Sequence, residues 1–298
     1  MLANPDVFLD TIPADIFHEI VTRLAIEDRQ ILRITSKRMT RKISPAPVNL
    51  IMHGAKTGVI EFCEIGLARG NSAAYACNMA AQQGHFRAFV WAREHFSDWN
   101  SWTCMFAAES GSLDILKYAH SAGCSWDEWT CYGAACAGRL DILEWARSEE
   151  CPWDSSVYRG AARCGSLEIV KYAWVAGCPR DISACRAAAE YGRLDILKYL
   201  RAQGFPWSDS VYLVAADNRR KDVLEYAVSH GCPWSEYTSV MLAGKGHLEP
   251  LEYLVGAGCP WNPRNCRASA ANHGYADVVS WIDSRVTHAS QSPSKASE

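Results

Sequence analysis

The chain has 298 residues, 49% hydrophobic and 21% charged, with a net charge of −3. That is an ordinary globular mixture, and its near-balanced charge argues against a nucleic-acid partner that would need a broad basic footprint. No apolar run approaches the roughly 20 residues that span a bilayer, and MLANPDVFLD lacks a basic region leading into an apolar core, so an intracellular chain without a membrane partner is expected.

Residues 12–43 read IPADIFHEIVTRLAIEDRQILRITSKRMTRKI, in which Ile12, Ile16, Ile20 and Leu24 recur at helical spacing. Pro13 is placed to open a helix, and Ile31 and Ile34 begin a second apolar face. So short a unit cannot bury much of a core alone and is expected to dock, on a partner or on the chain that follows. SPAPV at 44–48 then interrupts the pattern. The segment resembles an F-box. Ile12–Pro13 stand at its L-P opening, Glu19–Ile20–Val21 at its E-I-L core, Leu24 to Asp28 at its L-x-x-x-D, and Thr35–Ser36–Lys37–Arg38–Met39 at its V-C-K-R-W. Arg29 and Met39 depart from the family's apolar residue and tryptophan. The resemblance implies that Ile12, Pro13, Ile16, Ile20 and Leu24 contact the Skp adaptor subunit of cullin–RING ubiquitin ligases.

From about residue 46 the chain repeats itself every 27 residues. An anchor glycine recurs at Gly84, Gly111, Gly138, Gly165, Gly192 and Gly246, with Arg219 in its place once, and one extra residue moves the last to Gly274. Small pairs such as Ala107–Ala108 and Ala134–Ala135 precede it, and LDILKYA, LDILEWA, LEIVKYA and their kin follow it. Apolar residues three apart, Leu113 with Leu116 and Leu140 with Leu143, predict a short helix with one buried face. Each unit therefore reads as two short helices joined at the glycine. The acid three residues past the anchor (Asp114, Asp141, Glu168 and so on) falls in the first turn of the second helix, where it complements the helix dipole. GCPWD and its variants close the unit: glycine as C-cap, proline as a stop, and tryptophan as an inter-repeat packing joint. HGAKTGVIEFCEIGLARG (53–70) and NHGYADVVSWIDSRV (272–286) read as terminal capping copies, and THASQSPSKASE (287–298) as a disordered tail.

Thirteen cysteines stand mostly in two columns, Cys104–Cys131–Cys185–Cys266 and Cys124–Cys151–Cys178–Cys232–Cys259. Stacked units lie roughly 8–10 Å apart, too far for a disulfide between column neighbours, which needs Cα atoms within about 7 Å. CxxC and HExxH do not occur. Buried free thiols are the expectation, with no metal and no cofactor.

The framework T-C-x-x-A-A-x-x-G-x-L-D-I-L-x-Y-A-x-x-x-G, with Thr103, Thr130 and Thr238 at its threonine, resembles the ankyrin repeat. Ankyrin units run about 33 residues; the difference falls where that family places a β-hairpin finger, which PWD replaces. The shortened form is similar to the ankyrin-like arrays of giant DNA viruses of amoebae. The expected fold is all-α: an F-box-like unit over 1–45, an ankyrin-like α-solenoid of about nine repeats over 46–286, and the tail. The resemblance implies a non-catalytic adaptor in the host cytoplasm, with Skp at one end and an unknown target protein on the array. The alternative is a scaffold that binds or sequesters a host protein without ligase recruitment. Target-binding residues are expected where copies differ on the first helix: Trp102, Trp129, Arg159, Arg186 and Tyr237.

Overall fold

The computed structural model describes residues 50–68, 75–96 and 99–291. The F-box-like segment, with Ile12, Pro13, Ile16, Ile20 and Leu24, lies outside them. Among the described residues there are eighteen helices and no strand, in nine pairs. The first helices of the pairs are α1 (Leu50–Thr57), α3 (Ala76–Gln82), α5 (Ser101–Glu109), α7 (Glu128–Cys136), α9 (Ser156–Cys164), α11 (Ser183–Glu190), α13 (Ser210–Asp217), α15 (Glu236–Gly244) and α17 (Pro263–Asn272). Their partners are α2 (Ile60–Ala68), α4 (Phe86–His95), α6 (Leu113–Ser121), α8 (Leu140–Ser148), α10 (Leu167–Val175), α12 (Leu194–Ala202), α14 (Lys221–Ser229), α16 (Leu248–Gly256) and α18 (Ala276–Gln291). This is a helical-repeat architecture. The last helix runs to Gln291, five residues into the stretch expected to be disordered.

The chain divides into two compact units, one running to Gly133 and including Ser148–Cys151, the other comprising Ala134–Arg147 and the chain from Pro152 onward. Within the first, α1 packs on α3 and α3 on α5; within the second, α9, α11, α13, α15 and α17 pack each on the next. Alanine makes this possible: Ala107, Ala108, Ala161, Ala162, Ala188 and Ala215 are wholly buried. The second helices bury Ile115, Leu116 and Ala119 in one copy, Ile169, Val170 and Ala173 in another, and Ile196, Leu197 and Leu200 in a third. The buried stripe thus starts two residues later than the spacing of Leu113 and Leu140 suggests; both of those leucines are half-exposed. Each fully buried Ile or Leu contributes about 1.5–3 kcal/mol.

Both helices of a pair end in the same way. Gly111 donates to Ala108 O and Ser112 to Ala107 O, closing α5; Gly123 donates to His120 O and Cys124 to Ala119 O, closing α6. These paired bonds satisfy the last helical carbonyls and put the glycine in the left-handed region, φ 75° at Gly111 and 83° at Gly123. Where the glycine is missing the backbone does not change: Arg219 has φ 56° and Glu150 φ 61°.

The residue after the joint tryptophan starts the next first helix. Asn100, Asp127, Asp154 and Asp181 accept from the backbone N–H two residues on, at 3.0, 3.2, 2.9 and 2.8 Å. The aspartate of GCPWD therefore holds a free N–H at the start of the next helix. The cysteine completes the unit: the thiols of Cys124, Cys178 and Cys232 donate to the carbonyls of Asn100, Asp154 and Ser208, twenty-four residues earlier, at 3.3, 3.1 and 3.2 Å. In the other cysteine column the hydroxyls of Tyr158 and Tyr212 replace thiols and donate to Cys178 O and Cys232 O. All thirteen cysteines are free. Burial pushes the Cys185 and Cys232 thiols up to about 12 and Cys259 to about 11.

Candidate interaction surface

The joint tryptophans are not an exposed ladder. Each described one is half-buried or buried, and cations roof several of them: Arg93 over Trp99 at 4.1 Å, Arg147 over Trp153 at 4.4 Å and Arg201 over Trp207 at 4.2 Å. His120 stacks on Trp126 at 3.8 Å. The roofing residue always lies six positions before the tryptophan. In GCPRD, where Arg180 occupies the tryptophan position, Trp174 occupies the position six before it, and Arg180 lies 5.3 Å from the Trp174 ring. The stack survives with its partners exchanged. The same joint leaves Val175 83% exposed.

The residue after the anchor glycine reaches back to the preceding unit. Arg193 donates from Nε to Ala162 O at 3.2 Å and from Nη2 to Arg163 O at 3.3 Å, satisfying carbonyls at the end of α9. His85 Nε2 approaches Lys56 O at 3.1 Å. His247 contacts Asp217 at 2.7 Å, and Lys245 contacts its other oxygen at 2.5 Å. Burial alone would raise the Asp217 carboxyl, but these two partners hold it below the usual carboxylate range. The sequence pattern did not single out this column, because its residues share no chemistry beyond length and a polar tip.

Of the residues expected to bind a target, Trp102 is 52% exposed, Trp129 38% and Tyr237 59%. Arg186 is exposed, whereas Arg159 is half-buried on α9. Trp102 and Trp129 belong to the first compact unit, and Arg159, Arg186 and Tyr237 to the second. Tyr237 stands at the rim of an open groove of about 550 Å³ between α15 and α17, lined also by Glu236, Val240, Asn265, Ser269 and His273. Asn265 donates to Glu236 Oε1 at 2.8 Å and so ties the two walls. A second groove of about 530 Å³, which shares Ser269 and His273, continues to Lys245, His247 and Tyr275.

Trp102 and Trp129 are set by the caps beneath them, since each backbone N–H is the one held by Asn100 or Asp127. Trp102 lies 6.3 Å from Phe106, and Trp129 5.5 Å from Tyr132 in an edge-to-face pair. The same helix position holds Ser156, Ser183 and Ser210 elsewhere, so the framework does not require an aromatic there.

Among the described residues no helix is long and apolar enough to cross a membrane. No protein-family model matches this sequence, and no curated protein matches it significantly.

Proposed function

We propose that the chain is a non-catalytic protein–protein adaptor of the F-box and ankyrin-like kind. The N-terminal segment takes the Skp subunit of a cullin–RING ubiquitin ligase, and the repeat array takes a target protein. The observation that carries the reading is the division of labour within each repeat. Framework positions are buried and recur, while the neighbouring first-helix positions differ from copy to copy and expose Trp102, Trp129, Arg186 and Tyr237. Exposed aromatics and arginine supply most of the energy in protein interfaces. The mechanism is proximity: a tethered target meets the ubiquitin-charged enzyme at high effective concentration, and the adaptor itself changes no bond. Such a protein works in the host cytoplasm, where the ligase subunits are.

The test is affinity purification of the whole chain beside a variant with Ile16→Asp and Ile20→Asp, blotted for the Skp subunit and cullin. Capture by the parent and loss in the variant, with helical content unchanged, supports the adaptor. Capture by neither removes the ligase from the account and leaves a repeat scaffold.

A further inference from the structure

We propose that α5 and the first turns of α7 form a docking face for a lysine- and arginine-bearing segment of a partner protein, with Trp102 and Trp129 holding the side-chain cations and Glu128 supplying charge. The proposal rests on reading the array as the target-binding part and adds the chemistry of what it binds.

Three observations support it. The two helices touch backbone to backbone at Gly133, where an added Cβ would lie 2.6 Å from Met105 O and 3.2 Å from Glu109 N. Met105 sits between Trp102 and Phe106, and Gly133 directly follows Tyr132, so the two aromatic pairs stand on adjoining turns of touching helices. Trp102 and Trp129 keep 52% and 38% of their surface open there. The charge is one-sided as well. From Trp99 to Gly133 the sequence holds Lys117 as its only lysine or arginine, against Glu109, Asp114, Asp127 and Glu128. Indole faces attract ammonium and guanidinium groups, and the carboxylates of Asp127 and Glu128, next to Trp129 in the chain, strengthen the attraction while disfavouring an acidic segment. The fold already uses this chemistry at its joints, where Arg93 covers Trp99. Trp102 and Trp129 carry the same side chain with 52% and 38% of its residue surface open.

The experiment is fluorescence anisotropy of the purified full chain with a labelled peptide GSKGSRGSKGSR, and with GSEGSDGSEGSD as its acidic counterpart. The basic peptide is expected to bind saturably and the acidic one not. Trp102→Ala or Trp129→Ala should weaken binding about tenfold, the order of one desolvated cation–π contact. Trp102→Phe should lose less than Trp102→Ala. Glu128→Gln, or an increase in salt from about 0.05 to about 0.3 M, should weaken binding further. Val175→Ala, at an exposed position of the other compact unit, should leave it unchanged. Circular dichroism confirms that each variant is folded. Absence of saturable binding, equal binding of the acidic peptide, or loss only in the Val175 variant would overturn the proposal. Skp capture is read separately. Capture without basic-peptide binding sinks this inference alone, and peptide binding without capture sinks the ligase reading and leaves the surface standing.

Discussion

Replacing Arg219 with glycine should make the protein more stable, although it deletes a whole side chain. Arg219 occupies the anchor-glycine position with φ 56°, and its N–H still donates to Ala216 O at 3.1 Å while that of Arg220 donates to Ala215 O at 2.7 Å. The geometry is therefore that of the glycine copies, imposed on a residue for which the left-handed region costs roughly 1–2 kcal/mol. Its side chain is exposed and makes no hydrogen bond or ion pair among the described residues, so little is lost with it. Glycine's greater freedom in the unfolded chain returns about 0.5–1 kcal/mol, and the net gain should be about 0.5–1 kcal/mol. The reverse change can be made at Gly231, where φ is 68° and nothing lies within 4 Å of an added Cβ. Gly231→Ala should cost about 1 kcal/mol from backbone strain alone. Urea unfolding followed by circular dichroism reads both, with hydrogen exchange to localise the change, because a repeat array need not unfold in one step. If Arg219→Gly were destabilising while Gly231→Ala was neutral, the claim that the backbone at these turns is dictated by the repeat would be wrong.

Glu150→Gly, at φ 61°, should stabilise by a similar amount in the same assay. A double-mutant cycle on Trp174→Arg and Arg180→Trp should show each single change losing about 0.5–1 kcal/mol and the double recovering it, since the double restores the order found at the other joints; additive losses would deny the exchanged stack. Buried thiols set the alkaline limit. Cys185 and Cys232 are pushed up to about 12 from 9.0, so the folded state keeps protons that the unfolded state releases between those values. Stability is then intact below pH 9 and falls as pH rises toward 12, by up to about 1.4 kcal/mol per pH unit for each thiol; a melting temperature that is flat from pH 8 to 11 would contradict this. A thiol reagent at pH 8 should react with Cys136 and Cys164 before any other cysteine, because the remaining eleven are buried.

Most of the architecture was legible because period and punctuation are local. Gly111 and Gly123 each mark a left-handed turn, Asp114 marks a helix start, and Ala107–Ala108 marks a close approach; each property belongs to a single residue type. What escaped the sequence involves pairs. The Trp174–Arg180 exchange is visible only once positions six apart are known to touch. Arg193, Ser112 and His247 occupy one structural position with three different chemistries, so no motif announces them. The first turn of the second helix was found correctly, but its buried stripe falls on Ile115, Leu116 and Ala119 rather than on Leu113, because the neighbouring helix, not spacing, chooses the face. On the interaction surface, Trp102, Trp129 and Tyr237 were found by differences between copies and are exposed, whereas Arg159 is half-buried, since a long side chain lies along its own helix face as readily as it projects.

The proposed link between residues 12–43 and a ubiquitin ligase is tested by calorimetric titration of the purified chain with the purified Skp subunit, without any other cellular protein present. The expected result is a one-to-one complex formed by the parent and lost on Ile16→Asp with Ile20→Asp, while the helical content of the array stays the same. No heat and no co-elution with the folded parent chain would contradict it.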